Sequence, residues 1–203
     1  VAFDLAGMGD SEMRGVADIA ARGKEFVEIS EALDLFADGS RPTIIAHSFG
    51  SGAALTAVSQ SPDAFAGVIV CDLMVMRPEK LEKYWTMGRS SPGSGNPDKP
   101  VRRYPTYEAA RERYILSPPQ AVGEPFLMDY MAYHSLRRDG EEWTWKFSPE
   151  VFRRSNKPDE WLTVGQRLVD APGRKAIVYG EKSQLFDRVS ARYIRELGGG
   201  KIP

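Results

Sequence analysis

Four short runs of apolar residues divide the chain, and each is followed by polar or turn-forming residues. They are VAFDL at 1–5, PTIIAH at 42–47, GVIVCDL at 67–73 and KAIVYG at 175–180. The runs are apolar on both faces and rich in Val and Ile, which is typical of strands buried in a parallel sheet. We therefore predict four parallel strands.

Longer segments between these runs carry the periodicity of helices. In residues 24–38, apolar side chains recur at steps of three and four residues, as they do on one face of a helix. Residues 51–65 are rich in Ala and close at Ser-Pro, and residues 185–197 repeat the helical spacing before three glycines. Strands that alternate with helices predict an α/β fold with a mostly parallel sheet.

Residues 74–160 interrupt this alternation. The stretch SSPGSGNPDKP at 90–100 contains eight Gly, Pro or Ser residues and predicts a loop without regular structure. Short helical patterns lie on both sides of it, and aromatic residues become frequent. We predict a core made of residues 1–73 and 161–203, with 74–160 inserted after the third strand as a helical, loop-rich cap.

Both ends of the chain look like interrupted elements. The sequence begins without methionine inside an apolar run, and it stops at GGGKIP, where a further strand is expected. We therefore expect an internal piece of a longer protein, truncated at both ends.

Charge and composition narrow the classes of partner. Lys and Arg total 27 against 28 Asp and Glu, so no net field attracts nucleic acid or an anionic membrane surface. No apolar stretch approaches the roughly 18 residues that span a bilayer. The single cysteine, Cys71, lies in an apolar run and excludes a disulfide framework. We expect a cytoplasmic protein, with no indication of its oligomeric state.

Residues 46–50, AHSFG, contain the candidate chemistry. They follow a predicted strand and open a predicted helix, which is the setting of a nucleophile elbow, a tight turn that holds its central residue in a strained conformation. Small side chains two residues before and after Ser48, at Ala46 and Gly50, suit such a turn. The backbone N–H of Phe49, at the helix N-terminus, is then available to an oxyanion.

Other interpretations of this segment remain open. Ser48 could be an ordinary residue that caps the following helix through its side chain. His47 is a neighbour of the candidate nucleophile and is either a packing residue or one that faces the substrate. The chain shows no Cys/His spacing typical of a metal site and no Gly-rich phosphate cradle, since GMGDS at 7–11 lacks the lysine of a P-loop. We therefore expect neither a metal nor a cofactor.

Three motifs resemble the α/β-hydrolase superfamily. DLAGMGDS at 4–11 resembles the segment after its fourth strand, AHSFGSG at 46–52 the elbow after its fifth, and KAIVYGEKS at 175–183 its seventh strand and loop. The resemblance spans essentially the whole chain. Two strings of the predicted cap, YPTYEAARERYILSPPQ and HSLRRDGEEWTWKFSP, resemble a bacterial hydrolase or acyltransferase-like group of this superfamily.

The resemblance implies a triad in the chain order serine, acid, histidine. Many relatives carry the acid after the seventh strand, but here the loop reads GEKS and has Ser183 where aspartate is expected. Other relatives carry it after the sixth strand, a position that corresponds to Asp72. Asp72 is the favoured acid, with Glu181 and Asp187 as alternatives, or Asp72 merely caps a turn.

The histidine of the implied triad follows the eighth strand, beyond the end of this chain. The chain contains only His47 and His134, and neither has the right place in the order. The second oxyanion donor also lies outside. His134 and Trp143, in the predicted cap, are candidates to face a substrate or are packing residues of the cap. We expect the chain alone to be nearly inactive.

The sequence therefore favours a serine hydrolase or acyltransferase that acts on a small carboxylic ester or related acyl compound through an acyl-serine. An alternative is a non-catalytic binding protein with the same fold, in which the pocket holds a ligand. A nucleotide-binding domain is disfavoured, because its glycine fingerprint should follow the first strand of the unit.

Overall fold

The computed structural model describes residues 1–14, 18–86, 101–116, 120–151 and 161–200. By its backbone contacts, the chain divides into two compact units. One contains residues 1–17 and 90–155, and the other contains 18–89 and 156–203. The expected loop at 90–100 lies outside the described residues.

The unit of residues 18–89 and 156–203 contains a parallel sheet and its helices. In chain order its elements are α1 (Ile19–Ala32), β1 (Thr43–His47), α2 (Phe49–Gln60), β2 (Gly67–Cys71), α3 (Pro78–Thr86), α6 (Val164–Asp170), β6 (Arg174–Val178) and α7 (Arg188–Leu197). The strand order is β1-β2-β6, and all pairs are parallel. Because the three strands are parallel, their carboxyl ends lie along one rim of the sheet.

Helix α2 is the centre of the core of this unit. Every residue from Ser51 to Val58 is buried, because the side chains are small and the helix is enclosed by β1 and β2, by α1 and by α6. The surrounding core is aliphatic with a few aromatic rings, such as Phe36 and Phe65, whose centroids lie 5.7 Å apart. This packing fixes the direction in which α2 leaves the elbow.

The first predicted helix has different bounds from those expected. It begins at Ile19, where Asp18 accepts a hydrogen bond from the backbone N–H of Ala21 at 2.7 Å, and it ends at Ala32. Asp34 and Asp38 have φ values of 51° and 55°, which interrupt helical geometry in the segment that was expected to continue to residue 38. The prediction missed the N-cap and overran the C-terminus.

The expectation that all strands are buried on both faces is wrong for the outer ones. Along β1, exposed and buried residues alternate, and Ile45 is 69% exposed. Along β6, exposed residues alternate with half-buried ones, and Val178 is 55% exposed. Helix α2 packs on β1 and β2 from the other face, so continuous apolar runs do not by themselves indicate two covered faces.

The first apolar run, residues 1–5, is not a strand. These residues have no regular structure, and Val1 is 88% exposed. The run instead enters a loop organised by Asp4, whose carboxylate accepts a hydrogen bond from the N–H of Asp10 at 3.0 Å and whose carbonyl accepts one from the Ser11 hydroxyl at 2.7 Å. The sequence therefore predicted one strand too many for the described parallel sheet.

The unit of residues 1–17 and 90–155 contains a small antiparallel sheet that the sequence did not predict. Its elements are β3 (Arg103–Tyr104), α4 (Tyr107–Arg111), α5 (Pro125–Ser135), β4 (Leu136–Asp139) and β5 (Glu142–Trp145), and its strand order is β3-β5-β4. In this unit the side chain of Lys146 is 15% exposed and forms an ion pair with Asp10 at 2.7 Å. Among the helices described in either unit, none is long and apolar enough to cross a bilayer.

Candidate active site

Ser48 lies in a sharp turn between β1 and α2. Its φ of 48° and ψ of −117° are outside the regions that L-residues favour, so its backbone is strained. Its N–H donates to the carbonyl of Cys71 at 2.9 Å. The hydrogen bonding between β1 and β2 therefore extends to Ser48. The next residue, Phe49, is already helical.

A buried hydrogen bond joins the two sides of the turn at Ser48. The Ser51 hydroxyl donates to the carbonyl of Ala46 at 2.9 Å, and the N–H of Ser51 donates to the carbonyl of Ser48 at 2.9 Å. These bonds tie the first turn of α2 to the last residues of β1. The strained conformation of Ser48 is therefore held by its surroundings.

The side chain of Ser48 does not cap α2. No hydrogen bond joins its hydroxyl to the first turn, whereas Asp18 and Asp187 accept such bonds at the starts of α1 and α7. The interpretation of Ser48 as a capping serine is therefore wrong. Ser48 is half-buried.

The turn at Ser48 does not require glycine at position 50. A Cβ at Gly50 would lie 3.9 Å from the Ala46 Cβ, which is an ordinary contact. A Cβ at Gly52 would meet the Cδ1 of Ile19, on α1, at 3.2 Å. The space beside Gly52 is therefore occupied by a side chain of α1.

Asp72 lies on the same rim, one strand away from Ser48. It follows Cys71, the last residue of β2, and its N–H donates to the carbonyl of Val178 at the end of β6 at 2.7 Å. Its φ of 50° is positive, a backbone conformation that residues other than glycine rarely adopt and that is strained. Its Oδ1 is buried and has no hydrogen-bond partner among the described residues. A buried carboxylate oxygen without a partner is costly, so it is available to a donor that reaches this rim.

The alternative acids are arranged differently. Glu181 is exposed. Asp187 accepts hydrogen bonds from the N–H groups of Val189 and Ser190 at 2.9 and 2.8 Å and therefore caps α7. The Ser190 N–H holds the pKa of Asp187 below its ordinary value, and Lys80 adds to this effect. The carboxylate of Asp187 therefore serves as the N-cap of α7.

Ser183, in the position where many relatives carry aspartate, also has a local role. Its hydroxyl accepts hydrogen bonds from the N–H groups of Leu185 and Phe186 at 3.0 and 3.1 Å. It shapes the loop after β6 as an aspartate in a turn would.

The remaining candidates lie in both units. His47 is the last residue of β1, is exposed and directly precedes Ser48. His134 and Trp143 belong to the other unit. His134 is exposed on α5 with its ring 4.4 Å from that of Tyr130, and Trp143 lies in β5 with its ring 5.2 Å from that of Tyr107. In the described part of the chain, no group of three or more His, Cys, Asp or Glu side chains could hold a metal ion.

Arg22 was not predicted as a residue of the site. It lies on α1, is fully buried, and its guanidinium carbon is 5.4 Å from the centroid of the Phe49 ring. The signal was present, because Arg22 is four residues before Phe26 and so belongs to the predicted inward face. The predicted helix began at residue 24 and therefore did not include Arg22.

Comparisons with known proteins agree with this architecture. A family model described as the alpha/beta hydrolase family matches residues 1–203. A search of curated protein sequences finds no match.

Solved structures of low sequence identity share the fold. An esterase from Mycobacterium tuberculosis has a TM-score of 0.68 at 17% identity, over 96% of this chain and 61% of that chain. E-2-(acetamidomethylene)succinate hydrolase has a TM-score of 0.67 at 15% identity, over 96% of this chain and 67% of that one. A thioesterase domain from the curacin biosynthetic pathway has a TM-score of 0.61 at 17% identity, over 97% and 70%.

This chain therefore spans 61% of the length of the mycobacterial esterase that it resembles. The match of the family model over all 203 residues, together with the βα elbow at Ser48, leads to one assignment. The chain belongs to the alpha/beta hydrolase family.

Proposed function

We propose that Ser48 is the nucleophile of a hydrolase or acyltransferase that acts on carboxylic esters or related acyl compounds. The observation that carries this proposal is the backbone of Ser48, with φ of 48° and ψ of −117° between β1 and α2. Strain of this kind is retained where function requires it. The names of similar structures, an esterase, a thioesterase domain and a hydrolase, support an acyl substrate.

The proposed reaction begins at Ser48. The Ser48 Oγ attacks the carbonyl carbon of the substrate and gives its proton to a base, and a bond forms between Oγ and carbon. The oxyanion that results accepts a hydrogen bond from the N–H of Phe49, the first residue of α2. The bond to the alcohol then breaks, and the alcohol leaves with the proton from the base. Water, or an acceptor alcohol or amine, then gives a proton to the base and attacks the acyl carbon. The bond between Oγ and carbon breaks, the acyl group leaves as an acid, ester or amide, and the base returns the proton to the Ser48 Oγ.

Asp72 is proposed as the acid that orients the base. Its position at the end of β2, its strained φ and its buried Oδ1 support this role over that of Asp187, which caps α7. The base is proposed to be a histidine after the eighth strand of the natural protein, outside these residues. The chain alone is then expected to be nearly inactive. His134 and Trp143, with residues 74–160 as a cap, remain predicted contributors to substrate binding.

Labelling with a fluorophosphonate tests the nucleophile, because this probe reacts only with activated serines. The natural full-length protein is expected to be labelled, and Ser48→Ala is expected to abolish labelling. Ser59→Ala is the matched control, since Ser59 lies on the same helix and its hydroxyl donates to the carbonyl of Leu55 at 2.8 Å. A folded but unlabelled wild type would contradict the proposal and favour a non-catalytic binding protein.

A further inference from the structure

Arg22 is the largest of the fully buried side chains among the described residues. Burial of a charged group costs free energy unless the surroundings compensate for it. Burial lowers the pKa of Arg22, while the carboxylates of Glu25 and Asp18 act in the opposite direction. A guanidinium remains charged under such conditions, so a fixed positive charge lies inside this unit.

The position of this charge is set by two glycines in the contact of α1 with α2. A Cβ at Gly23 would lie 2.7 Å from the Cγ2 of Thr56, and one at Gly52 would lie 3.2 Å from the Cδ1 of Ile19. Only glycine at both positions permits this close approach without a shift of the neighbours. Arg22 is thereby brought to the start of α2.

The guanidinium of Arg22 lies against the Phe49 ring. The 5.4 Å from its central carbon to the ring centroid is within the range of a cation–π contact, which is stronger where water is excluded. Phe49 directly follows Ser48 and is the first residue of α2. A contact that fixes its ring therefore restricts the residue whose N–H is proposed to receive the oxyanion.

We infer that Arg22 is a positioning residue for acyl transfer at Ser48, which acts through the ring of Phe49. The inference rests on the proposed function. By holding the ring, Arg22 keeps the Phe49 N–H directed at the position of the oxyanion, which an unrestrained first turn would leave free to move. Its role is in the chemical step and not in substrate binding.

The test measures the fluorophosphonate reaction of the full-length protein as a maximal rate and a half-saturating concentration. Arg22→Met is expected to lower the maximal rate about tenfold, the size of one buried cation–π contact, and to leave the half-saturating concentration unchanged. Arg22→Lys keeps the charge and is expected to recover part of this loss. The control is Arg167→Met, because Arg167 donates to Thr56 on the same helix α2 at 3.3 Å, at a position seven residues beyond Phe49.

A double-mutant cycle separates positioning from stability. Phe49→Leu is expected to lower the maximal rate by a similar factor, and Arg22→Met is expected to add nothing further in that background. Equal losses from Arg22→Met with and without the Phe49 ring would overturn the inference, as would an unchanged rate in Arg22→Met. If Arg22→Met does not fold, an unchanged rate in Phe49→Leu would overturn it.

Wild type and Ser48→Ala distinguish this inference from the proposed function. Failure of the wild type to label overturns both. Labelling that depends on Ser48 but not on Arg22 overturns the inference alone.

Discussion

At the scale of single residues, strain marks the candidate site. Four residues other than glycine have positive φ in the described chain: Asp34, Asp38, Ser48 and Asp72. The last two follow neighbouring strands at one rim of the sheet. The sequence predicted the strain of Ser48 from its place between a strand and a helix, whereas for Asp72 it predicted at most a turn and no strain.

Ser48→Gly is expected to increase the free energy of unfolding by about 1 kcal/mol, because glycine adopts this conformation without strain. Ser48→Ala is the control and is expected to leave stability nearly unchanged, since alanine is strained there as serine is. Urea denaturation measures both. A loss of stability in Ser48→Gly would show that the turn is not strained.

Asp72→Asn is expected to lower the labelling rate of the full-length protein by about 10³ to 10⁴, as loss of the orienting carboxylate does in a triad. Glu181→Gln and Asp187→Asn are the matched controls, and each is expected to change the rate less than tenfold. If Glu181→Gln gives the large loss instead, the acid is wrongly assigned.

At the scale of elements, caps and close helix contacts fix the frame around the site. Helices α1 and α7 were predicted from their apolar spacing, but their starts were not, because the caps Asp18 and Asp187 are polar residues outside the apolar pattern. The contact of α1 with α2 depends on Gly23, whose role appears only when both helices are in place.

Asp187 is expected to make stability depend on pH in the acid range. Its pKa is lowered in the folded protein, chiefly by the N–H of Ser190, so its contribution is full above the unfolded pKa of about 4 and is lost as the pH falls through the folded value. Asp187→Ala is expected to cost about 1 kcal/mol at pH 7. The difference between wild type and variant, measured by urea denaturation, should shrink towards pH 2. A constant difference would contradict this account.

Gly23→Ala is expected to destabilise the protein by about 1–3 kcal/mol, because its Cβ would lie 2.7 Å from the Cγ2 of Thr56 and 3.1 Å from the N of Ala57. Gly123→Ala is the control, since a Cβ at Gly123 meets nothing within 4 Å. Thermal unfolding of both variants measures the difference. Equal midpoints would mean that α1 and α2 can separate at little cost.

At the scale of the whole molecule, the sequence predicted the family and the α/β fold but not the full set of elements. Three apolar runs form the parallel sheet, whereas residues 1–5 form the start of a loop held by Asp4. The run alone could not reveal this, because strand formation depends on a neighbouring strand. The small antiparallel sheet was missed because its strands are only two to four residues long.

The most direct test of the account is to locate the fluorophosphonate adduct by peptide mass spectrometry on the natural full-length protein. A single adduct on the side chain of Ser48 is the predicted result. An adduct on any other residue, or none on a folded protein, would contradict the assignment of Ser48 as the nucleophile.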